Sequence, residues 1–247
     1  MVGHSPFHPR PAPVSPAQRI AENLARVRDA IAAAAHAAGR DAATIRLVAV
    51  SKYVDAATAA HLLAAGCREL GESRPQELWE KAAAPSLAGA NWHLVGRLQR
   101  NKIRRTLPLV DLIHSVNSER LLAAIDEHAA ALELAPRVLL EVNCSGEAAK
   151  QGFDADAVRR LGPRLGELSR VRVAGLMTMA PLEGGAAAAR TAFALLRSLR
   201  DELASQAPTT AALAELSMGM SGDFPAAIAE GATIVRIGSL LFEGVPR

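Results

Sequence analysis

Long apolar runs are absent from this sequence, and no stretch of it reads as a signal peptide or a membrane span. Cysteine is nearly absent as well. Cys67 and Cys144 are too few for a disulfide framework and too isolated for a metal cluster, so both are expected to be small buried side chains in a reducing cytoplasm. Aromatic residues make up only 3% of the chain, so the core has to be assembled from Ala, Val, Leu and Ile. Charge of either sign is not in strong excess: the formal net charge is +3, too mild to demand a polyanionic partner.

What is present is apolar residue in quantity, half of the 247, which suffices for one large domain without covalent staples. Residues 1–16 contain five prolines and no Asp or Glu and are expected to be a disordered extension. Those prolines argue against the amphipathic helix of an organelle transit peptide. Over 17–38, Ile20, Leu24, Val27 and Ile31 recur at helical spacing and Gly39 supplies a stop, predicting an amphipathic leading helix.

Eight short β-branched runs then alternate with helical stretches rich in Ala and Leu. They fall at 45–50, 67–71, 91–95, 111–116, 137–143, 171–177, 215–218 and 233–237, with helical patterns in the second half starting near Asp154, Gly185 and Gly222. Strand followed by helix, without hairpin turns, implies parallel pairing through right-handed crossovers. Eight such units close into a single (β/α)8 barrel of the TIM type, here spanning 17–247 with the leading helix added.

Active sites of such barrels lie at the carboxyl ends of the strands. The residues expected there are Ser51, Lys52, Glu72, Ser73, His93, Gly96, His114, Asn143, Met177, Met220, Ser221, Arg236, Gly238 and Ser239. Lys52 follows an apolar strand, and desolvation between low-dielectric walls would favour the free amine that attacks carbonyls. Position alone favours, by a narrow margin, a lysine snorkelling at a strand end. The loops after the seventh and eighth strands, Ser217 to Asp223 and Gly238-Ser239, are where barrels commonly bind phosphate. Ser221 also sits where a helix N-cap belongs.

Several stretches carry a resemblance that covers about residues 17 to 242. They are Val50-Ser51-Lys52, Trp92-His93-Leu94-Val95-Gly96-Arg97-Leu98-Gln99-Arg100-Asn101-Lys102, Val142-Asn143-Cys144-Ser145-Gly146-Glu147 with its continuation to Phe153, Gly175-Leu176-Met177-Thr178-Met179, and Ser217-Met218-Gly219-Met220-Ser221-Gly222-Asp223-Phe224. In order and spacing these closely resemble the pyridoxal phosphate homeostasis protein family. The resemblance implies a barrel similar to the alanine racemase amino-terminal domain, holding pyridoxal 5′-phosphate as a Schiff base on Lys52. It places Met220, Ser221, Gly238 and Ser239 near the phosphate, Ser73 near the ring, and Arg236 against the pyridine nitrogen. An arginine there keeps that nitrogen unprotonated and the ring a poor electron sink. Two departures stand out: Gly71-Glu72-Ser73 where the family has Gly-Glu-Asn, and Phe242-Glu243-Gly244 where it has Phe-Gly, which puts a rim contact in doubt.

The expected activity is therefore carriage or buffering of the cofactor without turnover, with apoenzymes that depend on it as candidate recipients. A racemase needs two bases on opposite faces of the substrate adduct. The sole tyrosine, Tyr53, adjoins Lys52 and by strand alternation would point away from it. The domain that supplies the second base and the dimer in racemases is expected to be missing, which also favours a monomer. His93 and His114 are weighed as substitute bases against hydrogen-bonded barrel histidines, the latter favoured. The basic run from Arg97 to Arg105 raises a third reading, an RNA-binding surface. A solvated helix face is preferred, because no aromatic for base stacking lies within the run.

Overall fold

Ser15 starts the first helix: its hydroxyl accepts from the Gln18 N–H at 3.2 Å, and Pro16 in the first turn has no N–H to satisfy. This helix, α1 (Pro16–Ala37), buries Ile20, Leu24, Val27, Ile31 and Ala35 along one stripe, as the spacing predicts. It packs on the second and last helices and on the final turn of the chain. Of the proline-rich extension expected over 1–16, residues 1–13 lie outside the described residues. The computed structural model describes residues 14–147, 151–206 and 213–246.

The strands are β1 (Arg46–Val50), β2 (Glu69–Glu72), β3 (Asn91–Leu94), β4 (Leu112–Val116), β5 (Arg137–Glu141), β6 (Arg172–Met177), β7 (Glu215–Ser217) and β8 (Ile234–Ile237). All pair in parallel in chain order, and β8 returns to β1 with Val48 opposite Arg236. The connecting helices are α2 (Ala56–Ala64), α3 (Pro75–Ala82), α4 (Ile103–Thr106), α5 (Glu119–Ala131), α6 (Ala155–Leu161), α7 (Gly185–Gln206) and α8 (Phe224–Ala229). A 3-10 turn, Ser239–Phe242, takes the place of a helix after β8. The fold is the eight-stranded barrel that the alternation implies.

Strand alternation divides the apolar residues into two sets. Val48, Leu112, Leu139, Ala174, Met177 and Ile234 pack together inside the barrel, while Ala49, Ile113, Leu140, Leu176 and Val235 join the helices in the outer core. The described strands are shorter than expected, and at β5 the difference matters. The Asn143 N–H bonds to the Phe153 carbonyl at 2.9 Å, outside the barrel ladder, so the strand ends at Glu141 and that carboxylate reaches the barrel mouth.

The chain end departs from the family pattern in a way the fold explains. Glu243 turns away from the barrel mouth to meet Arg26 of α1 at 3.1 Å, and Asn23 donates to the carbonyls of Leu241 and Glu243. No helix among the described residues is long and apolar enough to cross a membrane.

Candidate functional site

A cavity of about 550 Å³ opens at the carboxyl ends of the strands, a size suited to a small ligand. Lys52, Ser73, Met220, Ser221, Arg236, Gly238 and Ser239 all line it, together with Gly96. Other residues expected at strand ends lie elsewhere. Ser51 and Glu72 are wholly buried and pair with Lys81 of α3, whereas Met177 belongs to the inner apolar layer. Asn143 folds its side chain over the following loop, accepting from the N–H and hydroxyl of Ser145.

Lys52 leaves β1 in a turn, and two expectations about it need correction. The side chain is exposed at the rim, not enclosed by low-dielectric walls. Tyr53 does not point away: both residues lie beyond Val50, where strand alternation no longer applies, and Lys52 Nζ rests 4.7 Å from the Tyr53 ring centroid. What fixes the turn is beneath it. Lys81 Nζ donates to the Ser51 carbonyl at 2.8 Å and ion-pairs with Glu72, whose carboxylate also accepts the Ser51 hydroxyl at 2.8 Å.

Two loops close the opposite side. Ser221 is not a helix cap, because α8 starts at Phe224 with Asp223 as the residue before it. The Asp223 carboxylate accepts the Met220 N–H at 2.5 Å and fixes the loop. Among the described residues nothing accepts from the N–H groups of Ser221 and Gly222. Gly219 bends the loop at φ 94°, a conformation that favours glycine. At the second strand the close approach is between backbones: a Cβ on Gly96 would lie 2.2 Å from the Ser73 carbonyl oxygen.

Arg236 forms the floor. It is 5% exposed, and its Nη1 and Nη2 donate to Ser217 Oγ at 2.6 Å and the Thr178 carbonyl at 3.0 Å. Burial pushes its guanidinium down to about 10, which leaves it charged at neutral pH. Glu141 lines the same cavity; burial raises its carboxyl above the usual carboxylate range, and Arg236 offsets only part of that rise. Sequence reasoning missed Glu141, although its inward parity with Leu139 would have exposed it once the strand end was known.

His93 and His114 do not face the cavity. They lie inside the barrel, hydrogen-bonded to each other at 2.8 Å, with His93 on Glu69 at 2.6 Å and His114 on Ser217 at 2.8 Å. Burial, then the charges of His93, Arg236 and Arg46, hold His114 well below the usual imidazole range. The basic run forms a turn and α4, and it wraps Trp79 of α3. Arg105 Cζ and Lys102 Nζ lie 4.2 and 5.5 Å from the Trp79 ring centroid. Arg97, Arg100, Arg104 and Arg105 are exposed, as a solvated face requires, and the contacts with Trp79 are an addition to that reading.

A closed parallel barrel with a rim lysine and an arginine floor defines a class of protein, and residues 17–246 match the family described as alanine racemase, N-terminal domain. A pyridoxal phosphate homeostasis protein of Aquifex aeolicus is 41% identical over 221 residues, covering 90% of this chain and 96% of that one. Another from Pseudomonas aeruginosa is 41% identical over 223 residues, covering 90% and 94%. PipY of Synechococcus elongatus, solved with PLP bound, superposes with a TM-score of 0.80 at 40% identity, covering 90% of this chain and 99% of that one. The chain belongs to the pyridoxal phosphate homeostasis protein family.

Proposed function

We propose that this protein binds pyridoxal 5′-phosphate covalently at Lys52 and holds it for transfer, without turning over a substrate. The observation that carries this reading is the convergence of Lys52, Ser73, Met220, Ser221, Arg236, Gly238 and Ser239 on one cavity. Such a cofactor presents an aldehyde carbon that condenses with a primary amine, with loss of water, and a phosphate dianion that needs several donors.

The residues fit that group. Lys52 supplies the amine at the rim. Ser221 and Ser239 supply hydroxyls, and the N–H groups of Ser221 and Gly222 point to no other acceptor among the described residues. Met220, with its own N–H held by Asp223, contributes packing at the edge. Gly238 lines the cavity without a side chain, which lets a ligand approach its backbone. Arg236 keeps a fixed positive charge at the ring position, which restrains carbanion chemistry.

Racemisation asks for bases on two opposite faces. The only tyrosine of the chain stands beside Lys52, and both histidines near the strand ends are engaged below the floor. The exposed rim also admits water, which weakens the electrostatic advantage of a dry pocket and favours release of the cofactor.

Borohydride treatment of the cofactor-loaded protein followed by tryptic mass mapping tests the reading. A reduced pyridoxyl adduct on Lys52 is expected. An adduct elsewhere, or protein that takes up no cofactor, overturns it. Incubation with L-alanine in heavy water separates carriage from catalysis: fast α-proton exchange dependent on Lys52 would establish an enzyme.

A further inference from the structure

We propose that Glu69, at the amino-terminal end of the barrel, is a positioning residue for Arg236, acting through a one-way hydrogen-bond chain of His93, His114 and Ser217. This rests on the reading of the cavity as a pyridoxal phosphate site with Arg236 against the ring.

The links are continuous: Arg236 Nη1 to Ser217 Oγ 2.6 Å, Ser217 Oγ to His114 Nδ1 2.8 Å, His114 Nε2 to His93 Nδ1 2.8 Å, and His93 Nε2 to Glu69 Oε2 2.6 Å. Four strands besides β8 contribute one member each, and all but Glu69 are at most 5% exposed. The direction follows from donor counting. Arg236 can only donate, so Ser217 Oγ accepts from it. Ser217 is fully buried, and the partner near its own hydroxyl hydrogen is His114 Nδ1, which must therefore accept. A neutral His114 then carries its hydrogen on Nε2 and gives it to His93 Nδ1. His93 in turn carries its hydrogen on Nε2 and gives it to the Glu69 carboxylate.

Every donor thus points away from the cavity, and an anion closes the far end. Glu69 is steadied there by Asn91 Nδ2 at 2.8 Å and borders a surface groove with Arg46 and Arg68. Reversing any link would leave a buried Ser217 hydrogen or histidine nitrogen without a partner, and the Glu69 carboxylate, which can only accept, supplies the far terminus that this one order requires. With Nη1 on Ser217 and Nη2 on Thr178, the plane of Arg236 is fixed before any ligand arrives.

Long-range proton–nitrogen NMR of the histidine rings in cofactor-free protein tests the chain apart from cofactor binding. At pH 7.5 both His93 and His114 are expected to be protonated on Nε2 alone. Glu69→Gln, whose oxygen can still accept from His93 Nε2, is expected to leave both rings in that form, whereas Glu69→Lys, a donor facing a donor, is expected to lose the single form at His93 and also at His114. Ser217→Ala, cut at the other end, is expected to change His114 and leave His93 bonded to Glu69. In loaded protein Glu69→Lys is expected to shift the cofactor absorption maximum although Glu69 lies outside the cavity. Protonation of His114 on Nδ1 in the parent protein, or a Glu69→Lys change that stops at His93, overturns the proposal. Failure of the protein to take up cofactor sinks the functional reading and leaves the NMR result standing.

Discussion

Lys81 Nζ, buried on α3, donates to the backbone carbonyl of Ser51 at 2.8 Å while paired with the wholly buried carboxylate of Glu72. The contact holds the peptide that precedes Lys52, so the lysine at the rim is aimed from below by another lysine. Removing one partner of a buried pair leaves an uncompensated charge and costs about 3–5 kcal/mol, whereas replacing both with apolar residues is far milder. Lys81→Met is expected to lower stability by about that amount in urea unfolding. A Glu72→Leu, Lys81→Met double variant is expected to regain most of the stability yet still trap less cofactor on Lys52 in borohydride mapping. Full trapping in the double variant would show that the pair serves stability alone.

His114 gives the protein a pH dependence of known sign. Its folded value lies below 6.5, so as pH falls through 6.5 the unfolded chain takes up the proton first. Stability is fully present above that pH and is lost progressively below it, at about 1.4 kcal/mol per pH unit for one proton. Urea unfolding between pH 7.5 and 5.5 should show this excess slope in the parent protein and not in His114→Gln. Parallel curves would mean that the imidazole is not held neutral.

The barrel and its mouth were legible because each rests on a local signal: short β-branched runs, helical spacing between them, and the rule that strand ends carry chemistry. That is enough to bring Lys52, Arg236 and Ser239 to one cavity. What escaped depends on register between distant strands. Glu69 and His93 share inward parity on neighbouring strands, yet nothing local says that their atoms meet at 2.6 Å. The Glu72 and Lys81 pair joins a strand to a helix behind the site, and Trp79 meets its cations across two helices. Ser221 was misread because the start of α8 lies at Phe224, past the expected Gly222, and Tyr53 because alternation was carried beyond the end of β1 at Val50.

Cys67 is buried, as expected, whereas Cys144 is only half-buried. Burial pushes Cys67 and Cys144 up to about 11, so little thiolate forms near neutral pH. Alkylation with iodoacetamide at pH 8 is expected to be about tenfold or more slower in native protein than in urea, where two thiols react. Rapid labelling of native protein would place at least one of them at an accessible, activated site.

Gly222 tests the proposed phosphate cradle against mere loop geometry. A Cβ added there meets nothing within 4 Å and the backbone φ is not in the left-handed region, so alanine fits without strain. Gly222→Ala is therefore expected to hold or raise stability, by about 0.4–1 kcal/mol through the unfolded chain. The new methyl group borders the cavity beside an N–H with no acceptor among the described residues, so cofactor affinity is expected to fall about tenfold, or 1.4 kcal/mol. Gly96→Ala provides the contrast: its Cβ would overlap the Ser73 carbonyl, costing about 1–3 kcal/mol of stability along with binding. Equilibrium titration of both variants with pyridoxal 5′-phosphate, beside their unfolding curves, distinguishes the two effects. Undiminished affinity in Gly222→Ala would remove this loop from the cradle and leave the phosphate to Gly238 and Ser239.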